Sequence, residues 1–176
     1  MSTTGASTGA RIRAVRSERG LSLSALAAEA GIGKATLSEL ETGRRNPTLD
    51  TLYALAGPLG VPLAALVDPG EQEVGDEALT SLRLHVRQDE HSTTEVYLIR
   101  VRPGATRPSP AHARGVTEQV IVLAGEGTIE VAGTVHELVA GTHHGWAADV
   151  PHAYSCTSET ELVAVDVIVT PRAAGR

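Results

Sequence analysis

The constraint that dominates this 176-residue chain is a change of hydrophobic period partway along it. Up to Leu66 apolar residues recur at three- and four-residue spacings, the mark of one helix face. From Leu79 onward they recur at two, the mark of one strand face: Leu82, Leu84 and Val86 alternate, as do Val96, Leu98 and, after a slip, Val101. The chain is therefore expected to hold two domains, a helical one over residues 9–66 and an all-β one over 79–170. Between them VDPGEQEVGDEA, residues 67–78, is rich in Gly, Pro and acid and reads as a linker. Residues 1–8 read as a disordered tail and 171–176 as a second tail.

Glycines and caps divide the helical part. Arg11 to Arg19 forms a short amphipathic helix that Gly20 ends. Ser22 caps a second, with Leu23, Leu26, Ala27 and Ala30 as its stripe. In AGIGKATLSELETGRRNP, residues 30–47, Gly31 breaks that helix, Gly33 sits at a cap position and a third helix starts at Lys34. Leu37 and Leu40 project to one side of it, while Lys34, Ala35, Ser38, Glu39 and Thr42 fan across the other. A small, polar face of this kind suits a DNA major groove, about 12 Å wide. Gly43 stops the helix, and Arg44, Arg45 and Asn46 follow as donors for phosphate. Pro47 and Thr48 open a fourth helix, and Leu63 and Leu66 mark a fifth.

The charge is divided in the same way. Residues 1–66 carry seven Lys/Arg against five Asp/Glu, a net +2, whereas 67–176 carry eight against sixteen, a net −8. Contact with a polyanion is thus expected of the first part. With no Phe, one Trp and three Tyr, stacking on single-stranded nucleic acid is excluded as a main activity.

Residues 11–66 resemble the helix-turn-helix domain of the lambda-repressor/Cro-like (XRE) regulators, through Arg16, Gly20-Leu21-Ser22, Leu26-Ala27, Gly31, Thr36, Ser38, Glu41, Gly43, Asn46-Pro47 and Leu59-Gly60-Val61. The resemblance implies an ion pair between Arg16 and Glu41 that locks the first helix on the third. It implies Lys34, Ala35, Ser38 and Glu39 as readers of base edges, with Ser22, Thr36, Arg44, Arg45 and Asn46 completing the DNA-contact set. Leu23 stands where many members have a glutamine.

In the β half, many short strands broken by Gly and Pro indicate a sandwich or barrel. His112-Ala113-Arg114-Gly115-Val116-Thr117-Glu118 with Gly125, and Gly141 followed by Pro151-His152, resemble the two motifs of the cupin jelly-roll family. Arg114 holds the place of that family's second histidine and Cys156 the place of an asparagine. The surviving set, His112, Glu118 and His152, suits one divalent metal ion: Fe, Mn, Ni or Zn. If residues 112 and 114 share a strand face, the guanidinium enters the same pocket, where it repels a cation and instead grips a carboxylate or phosphate effector. A metal site and a metal-free anion pocket both stand open; an outward Arg114 restores the first. His85, His91, His136, His143 and His144 are left outside the ligand set. Cys156 has no partner for an internal disulfide and reads as a small buried residue.

The expected fold class is α + β in two domains, a five-helix lambda-repressor-like helix-turn-helix followed by a cupin β-barrel. Such a chain resembles the XRE-cupin transcription regulators. That implies a double-stranded DNA operator, a small-molecule effector sensed by the cupin and a homodimer. The alternative is a mononuclear-metal cupin oxygenase or epoxidase with an appended helix-turn-helix. No apolar run approaches the roughly 18 residues of a membrane span, so a soluble, cytoplasmic protein is expected.

Overall fold

The computed structural model describes residues 4–67 and 73–172 and divides the chain into two compact units, Met1–Glu71 and Gln72–Arg176. The parts of the expected tails and linker at 1–3, 68–72 and 173–176 lie outside the described residues.

The first unit contains α1 (Thr4–Glu18), α2 (Leu23–Glu29), α3 (Lys34–Glu41) and α4 (Leu49–Leu59). All four helices end in one way. At Gly31 and Gly43, which bracket α3, the backbone turns left-handed, with φ of 64° and 70°. Ile32 N then donates back to Ala27 O, and Arg44 N to Glu39 O. This closure satisfies carbonyls that a helix end would leave open, and glycine reaches that φ without a Cβ penalty. Ser22 Oγ accepts from Ala25 N at 3.0 Å and Thr48 Oγ1 from Thr51 N at 3.3 Å, capping α2 and α4.

The expected fifth helix is a single 3-10 turn, Leu63–Ala65. Between Pro62 and Leu66 there is room only for i→i+3 closure, from Ala65 N to Pro62 O and from Leu66 N to Leu63 O. The structure also extends α1 backward into the stretch read as a tail, where Thr8 is buried. A Cβ on Gly9 would stand 2.0 Å from the carbonyl oxygen of Leu40, so α1 crosses α3 at backbone contact. Ile12, Leu26, Leu37, Leu40, Leu52, Leu55, Leu59 and Leu66 fill the core between them. Each such side chain contributes about 1.5–3 kcal/mol by leaving water.

The second unit is made of strands β1 (Glu73–Gly75), β2 (Leu79–Gln88), β3 (Ser92–Val101), β4 (Thr106–Ser109), β5 (Thr117–Ala124), β6 (Glu126–Val131), β7 (Thr134–Val139), β8 (His143–Ala147), β9 (His152–Cys156) and β10 (Leu162–Pro171). β1 falls within the stretch read as linker. Six strands form one antiparallel sheet, in the order β1-β2-β3-β10-β5-β8, and four form the other, β4-β9-β6-β7. The expected closed barrel is thus two sheets with facing inner surfaces; among the described strands no ladder joins one sheet to the other.

Burial along the N-terminal half of β3 does not follow hydrophobicity. Thr93, Glu95, Tyr97, Ile99 and Val101 are buried in one continuous phase, while Val96 and Leu98 lie on the outer face. No slip occurs in β3. The irregularity is in β2, between Arg83 and His85, and leaves Leu84 52% exposed. Glu95 is tolerated inside because Tyr97 Oη donates to its Oε1 at 2.7 Å.

Candidate metal centre and DNA-reading face

On α3, Leu37 and Leu40 anchor the helix in the core while Lys34, Ala35 and Glu39 are exposed and Thr36 and Ser38 half-buried. Arg44, Arg45, Asn46 and Ser22 are exposed. Four of these residues already have partners: Ser22 Oγ is the α2 cap, Glu39 lies 3.8 Å from Arg45, and Arg44 Nε donates to Thr42 Oγ1 at 3.2 Å. Beneath this face Arg16 grips Glu41 with two hydrogen bonds, from Nε to Oε1 at 2.6 Å and from Nη2 to Oε2 at 2.8 Å. Arg16 Nη1 also donates to Leu21 O at 2.8 Å. The pair is 15% and 6% exposed, and the hydrogen bonds to Glu41 raise the guanidinium pKa. It ties α1, the α1–α2 turn and α3 into one block, so the orientation of the exposed α3 face depends on it.

In the second unit, three segments converge. His112 precedes β5 and is held by its backbone N, which donates to Ala148 O at 2.9 Å. Glu118 is the second residue of β5 and His152 the first of β9, so the carboxylate comes from one sheet and this imidazole from the other. Nε2 of each histidine lies 3.2 Å from Glu118 Oε2, and the three ligand atoms are all within 4.8 Å of one another. All are nearly or fully buried, with side chains 9%, 2% and 1% exposed in chain order. Two donors sharing an ion at the ~2.0–2.2 Å of Zn–N and Zn–O bonds stand about 3.0–3.4 Å apart, so both Nε2–Oε2 spacings suit a shared divalent metal. The surroundings orient the donors. Tyr154 Oη donates to Glu118 Oε1 at 2.8 Å, turning Oε2 toward the histidines. His152 Nδ1 lies 3.1 Å from Val150 O, and as the donor of that bond leaves Nε2 free to ligate.

Burial pushes the Glu118 carboxyl up, but hydrogen bonds from His112 and His152 outweigh it and hold it far below the ordinary range. For His152, burial lowers the pKa while the hydrogen bond and charge of Glu118 raise it, with a net rise above 6.5. In the metal-free protein the two shifts have opposite signs in pH. The Glu118 contribution to stability is present above its unfolded value near 4.5 and fades toward strong acid. That of His152 is full below 6.5 and is lost as pH rises through its raised folded value. Protons therefore compete with a metal, and affinity for Zn²⁺ is expected to climb as pH rises through the raised His152 value and then level. Calorimetric titration across that rise checks this; a flat profile would remove His152 from the ligand set.

Arg114 does not join this group. Residues 113–115 form a turn, closed by Val116 N donating to Ala113 O, in which Gly115 has φ 83° and Arg114 is exposed. The expectation that residues 112 and 114 share a face held only for a strand, and β5 starts later, at Thr117.

The buried guanidinium is instead Arg107, on β4. It is 2% exposed, donating from Nε to Asp76 Oδ2 and from Nη1 to Ser109 Oγ, both at 3.0 Å. Asp166, on β10, was also missed; burial first, then the negative charges of Glu118 and Glu95, raise its pKa well above the ordinary value. His136 and His144 line the same interior, their ring centroids 4.0 Å apart, and His144 stacks at 5.8 Å on Trp146. The alternation of His144 and Trp146 along β8 was the available signal for both. His85, His91 and His143 are exposed, and Cys156 is buried at the end of β9 with Sγ 3.2 Å from Thr160 O.

Comparison with known proteins agrees with this division. Residues 12–66 match the helix-turn-helix family and residues 97–168 the cupin domain family. The HTH-type transcriptional regulator SutR of Escherichia coli is 32% identical over 169 residues, spanning 92% of this chain and 93% of its own. PuuR, another HTH-type transcriptional regulator of E. coli, is 26% identical over 172 residues, with 90% and 92% covered. A solved HTH_3 family transcriptional regulator from Vibrio cholerae aligns with a TM-score of 0.87 at 28% identity, over 96% of this chain and 98% of that one.

Proposed function

Since the chain belongs to the XRE-type helix-turn-helix transcriptional regulators that carry a cupin domain, we propose that it reads a specific operator with α3 and answers to a small molecule sensed in its second unit. The observation behind the first half is the two-faced α3, with Leu37 and Leu40 buried and Lys34, Ala35 and Glu39 exposed on the side that would meet base edges. Arg44, Arg45 and Asn46, beyond its C-terminus, are the phosphate contacts that set the register. Ser22 serves through the α2 N-terminus that it caps, and Thr36 and Ser38 flank the readers.

His112, Glu118 and His152 are the proposed holders of one divalent ion. When bound, such an ion supplies coordination positions for an oxygen-bearing ligand. Arg114, exposed on its turn, is available to an anion at the surface rather than at the triad. The relatives are named as transcriptional regulators, which does not favour the oxygenase alternative.

The outer face of the six-stranded sheet carries Ile121 and Leu123 at 42% and 53% exposure beside half-buried Leu98, Val163, Val165 and Val167, which supports a homodimer through that face. A dimer would read half-sites about 34 Å or a multiple apart, in the cytoplasm where the operator lies. Regulation then requires that the ligand favour one arrangement of the two DNA heads over another, since equal affinity shifts nothing.

Operator fragments selected from a random duplex library and a mobility-shift assay test the central claim. Lys34→Ala is expected to weaken the selected operator by about 1–3 kcal/mol while leaving random DNA little changed. Equal affinity on both would remove Lys34 from the readers, and failure to enrich any sequence would refute operator recognition. Among the described residues no helix is long and apolar enough to cross a membrane.

A further inference from the structure

We propose that the indole N–H of Trp146 is the recognition donor of the cupin unit, and that the ligand it selects is a small carboxylate whose oxygen accepts this hydrogen bond beside His112, Glu118 and His152. The proposal deepens the reading above, that the second unit senses a small molecule.

Trp146 lies on β8 directly across from Glu118 on β5, and side chains so paired on one sheet face are in contact range. Its ring centroid is 5.6 Å from that of His152 and 6.1 Å, edge-on, from that of Tyr154. The indole therefore packs beside the triad. Its Nε1 is buried and has no acceptor among the described residues. Folded proteins seldom leave a buried donor unmatched, and where they do a ligand or water is the usual complement.

Glu118 and Glu95 are already committed, and Asp166, whose Oδ1 has no hydrogen-bond partner among the described residues, stands on β10, two strands from β8. Glu118 Oε1 receives Tyr154 Oη, and Oε2 faces both imidazoles. Glu95 receives Tyr97 Oη and stands on β3, three strands away from β8 in the sheet order. An oxygen brought from outside completes the set.

Charge selects an anion. A divalent ion on two neutral histidines and one carboxylate leaves a net positive charge at the triad, which an anionic ligand neutralises. A carboxylate meets both demands, with one oxygen toward the positive centre and one toward the indole N–H.

Trp146 is the only tryptophan in the chain, so the uniformly ¹⁵N-labelled full-length protein has one indole cross-peak, and that peak reports on this donor alone. Acetate, lactate and pyruvate, with ethylamine as the cationic control, would be titrated into metal-free and Zn²⁺-loaded protein. Affinities for wild type and Trp146→Phe would be measured by calorimetry. The expected result is a saturable downfield movement of the indole proton with at least one carboxylate and none with ethylamine. A loss of at least tenfold in carboxylate affinity in Trp146→Phe, with Zn²⁺ uptake unchanged, is expected alongside it.

Equal carboxylate affinity in the variant, an indole peak that stays put while carboxylate binding saturates, binding of ethylamine instead, or no saturable carboxylate binding in either form would each overturn the proposal. The wild-type spectrum decides the matter even if Trp146→Phe does not fold. Absence of Zn²⁺ uptake together with Trp146-dependent carboxylate binding would sink only the metal part of the earlier reading. Zn²⁺ uptake without any carboxylate response would sink only this one.

Discussion

Replacing His152 by alanine is expected to abolish stoichiometric metal uptake. The side chain is 1% exposed, and its Nε2, like that of His112, lies 3.2 Å from Glu118 Oε2. Removing it deletes a donor and opens a void in the most enclosed part of the site. The loss should exceed the roughly 10- to 100-fold that disturbing an outer hydrogen-bond partner of a ligand costs. Elemental analysis of protein purified without a metal-affinity tag, with His112→Ala beside it, provides the measurement. About one equivalent per chain in wild type and none in either variant is the expected pattern. A His152→Ala protein that keeps a full equivalent would show that the metal is held elsewhere. A wild-type protein that stays empty after incubation with Zn²⁺, Mn²⁺, Fe²⁺ and Ni²⁺ would leave the triad as a hydrogen-bonded cluster that fixes β9 to β5.

Glu41→Ala is expected to destabilise the helical unit by about 2–3 kcal/mol and to weaken operator binding beyond what the stability loss explains. The estimate starts from the ~1.5–3 kcal/mol of a hydrogen bond to a charged group. Two such bonds hold Arg16, and the variant would strand a guanidinium that is only 15% exposed. Part of the cost is recovered because Arg16 keeps its bond to Leu21 O and has some access to water. A fully buried pair, broken in the same way, would cost about 3–5 kcal/mol. Chemical denaturation checks the stability. Binding measured well below the unfolding transition checks the second effect, because the α3 face is oriented by this block. A change under ~0.5 kcal/mol would return Arg16 and Glu41 to the class of exposed pairs that contribute little.

Much of the helical unit could be read from single residues because helix ends are local events. Gly31 and Gly43 stop helices wherever the chain places them, and Ser22 and Thr48 start them, through bonds that span no more than five residues. The fifth helix was misjudged for a local reason too: the apolar pair Leu63 and Leu66 fits a helical spacing, but the segment after Pro62 is too short for anything beyond a 3-10 turn. The close approach of Gly9 to Leu40 O joins residues about thirty positions apart, and no local pattern reports it.

In the β unit, alternation identifies strands but does not say which face is inside when both faces are apolar. In β3 the outer Val96 and Leu98 are more hydrophobic than the inner Glu95, and only the pairing with β10 and β2 decides the orientation. For the same reason the arginine at position 114 drew attention and the one at position 107 did not. The first lies in a family motif but faces solvent on a turn, whereas the second is read correctly only once β4 is known to pair with β9, opposite Tyr154.

What the sequence determined by itself was the division into a helical and a strand unit, the glycine stops and Ser/Thr starts of the helices, and the exposed polar face of α3, while the motif resemblance supplied His112, Glu118 and His152. The first three depend on spacing or on a residue's own backbone preference. The tertiary structure alone decided that those three residues bring ligand atoms within 4.8 Å of one another, that Arg114 lies outside, and that Trp146 packs beside them with an unmatched donor. These are relations between strands far apart in the chain and, for the triad, in different sheets; they are set by register and packing, which no single segment encodes.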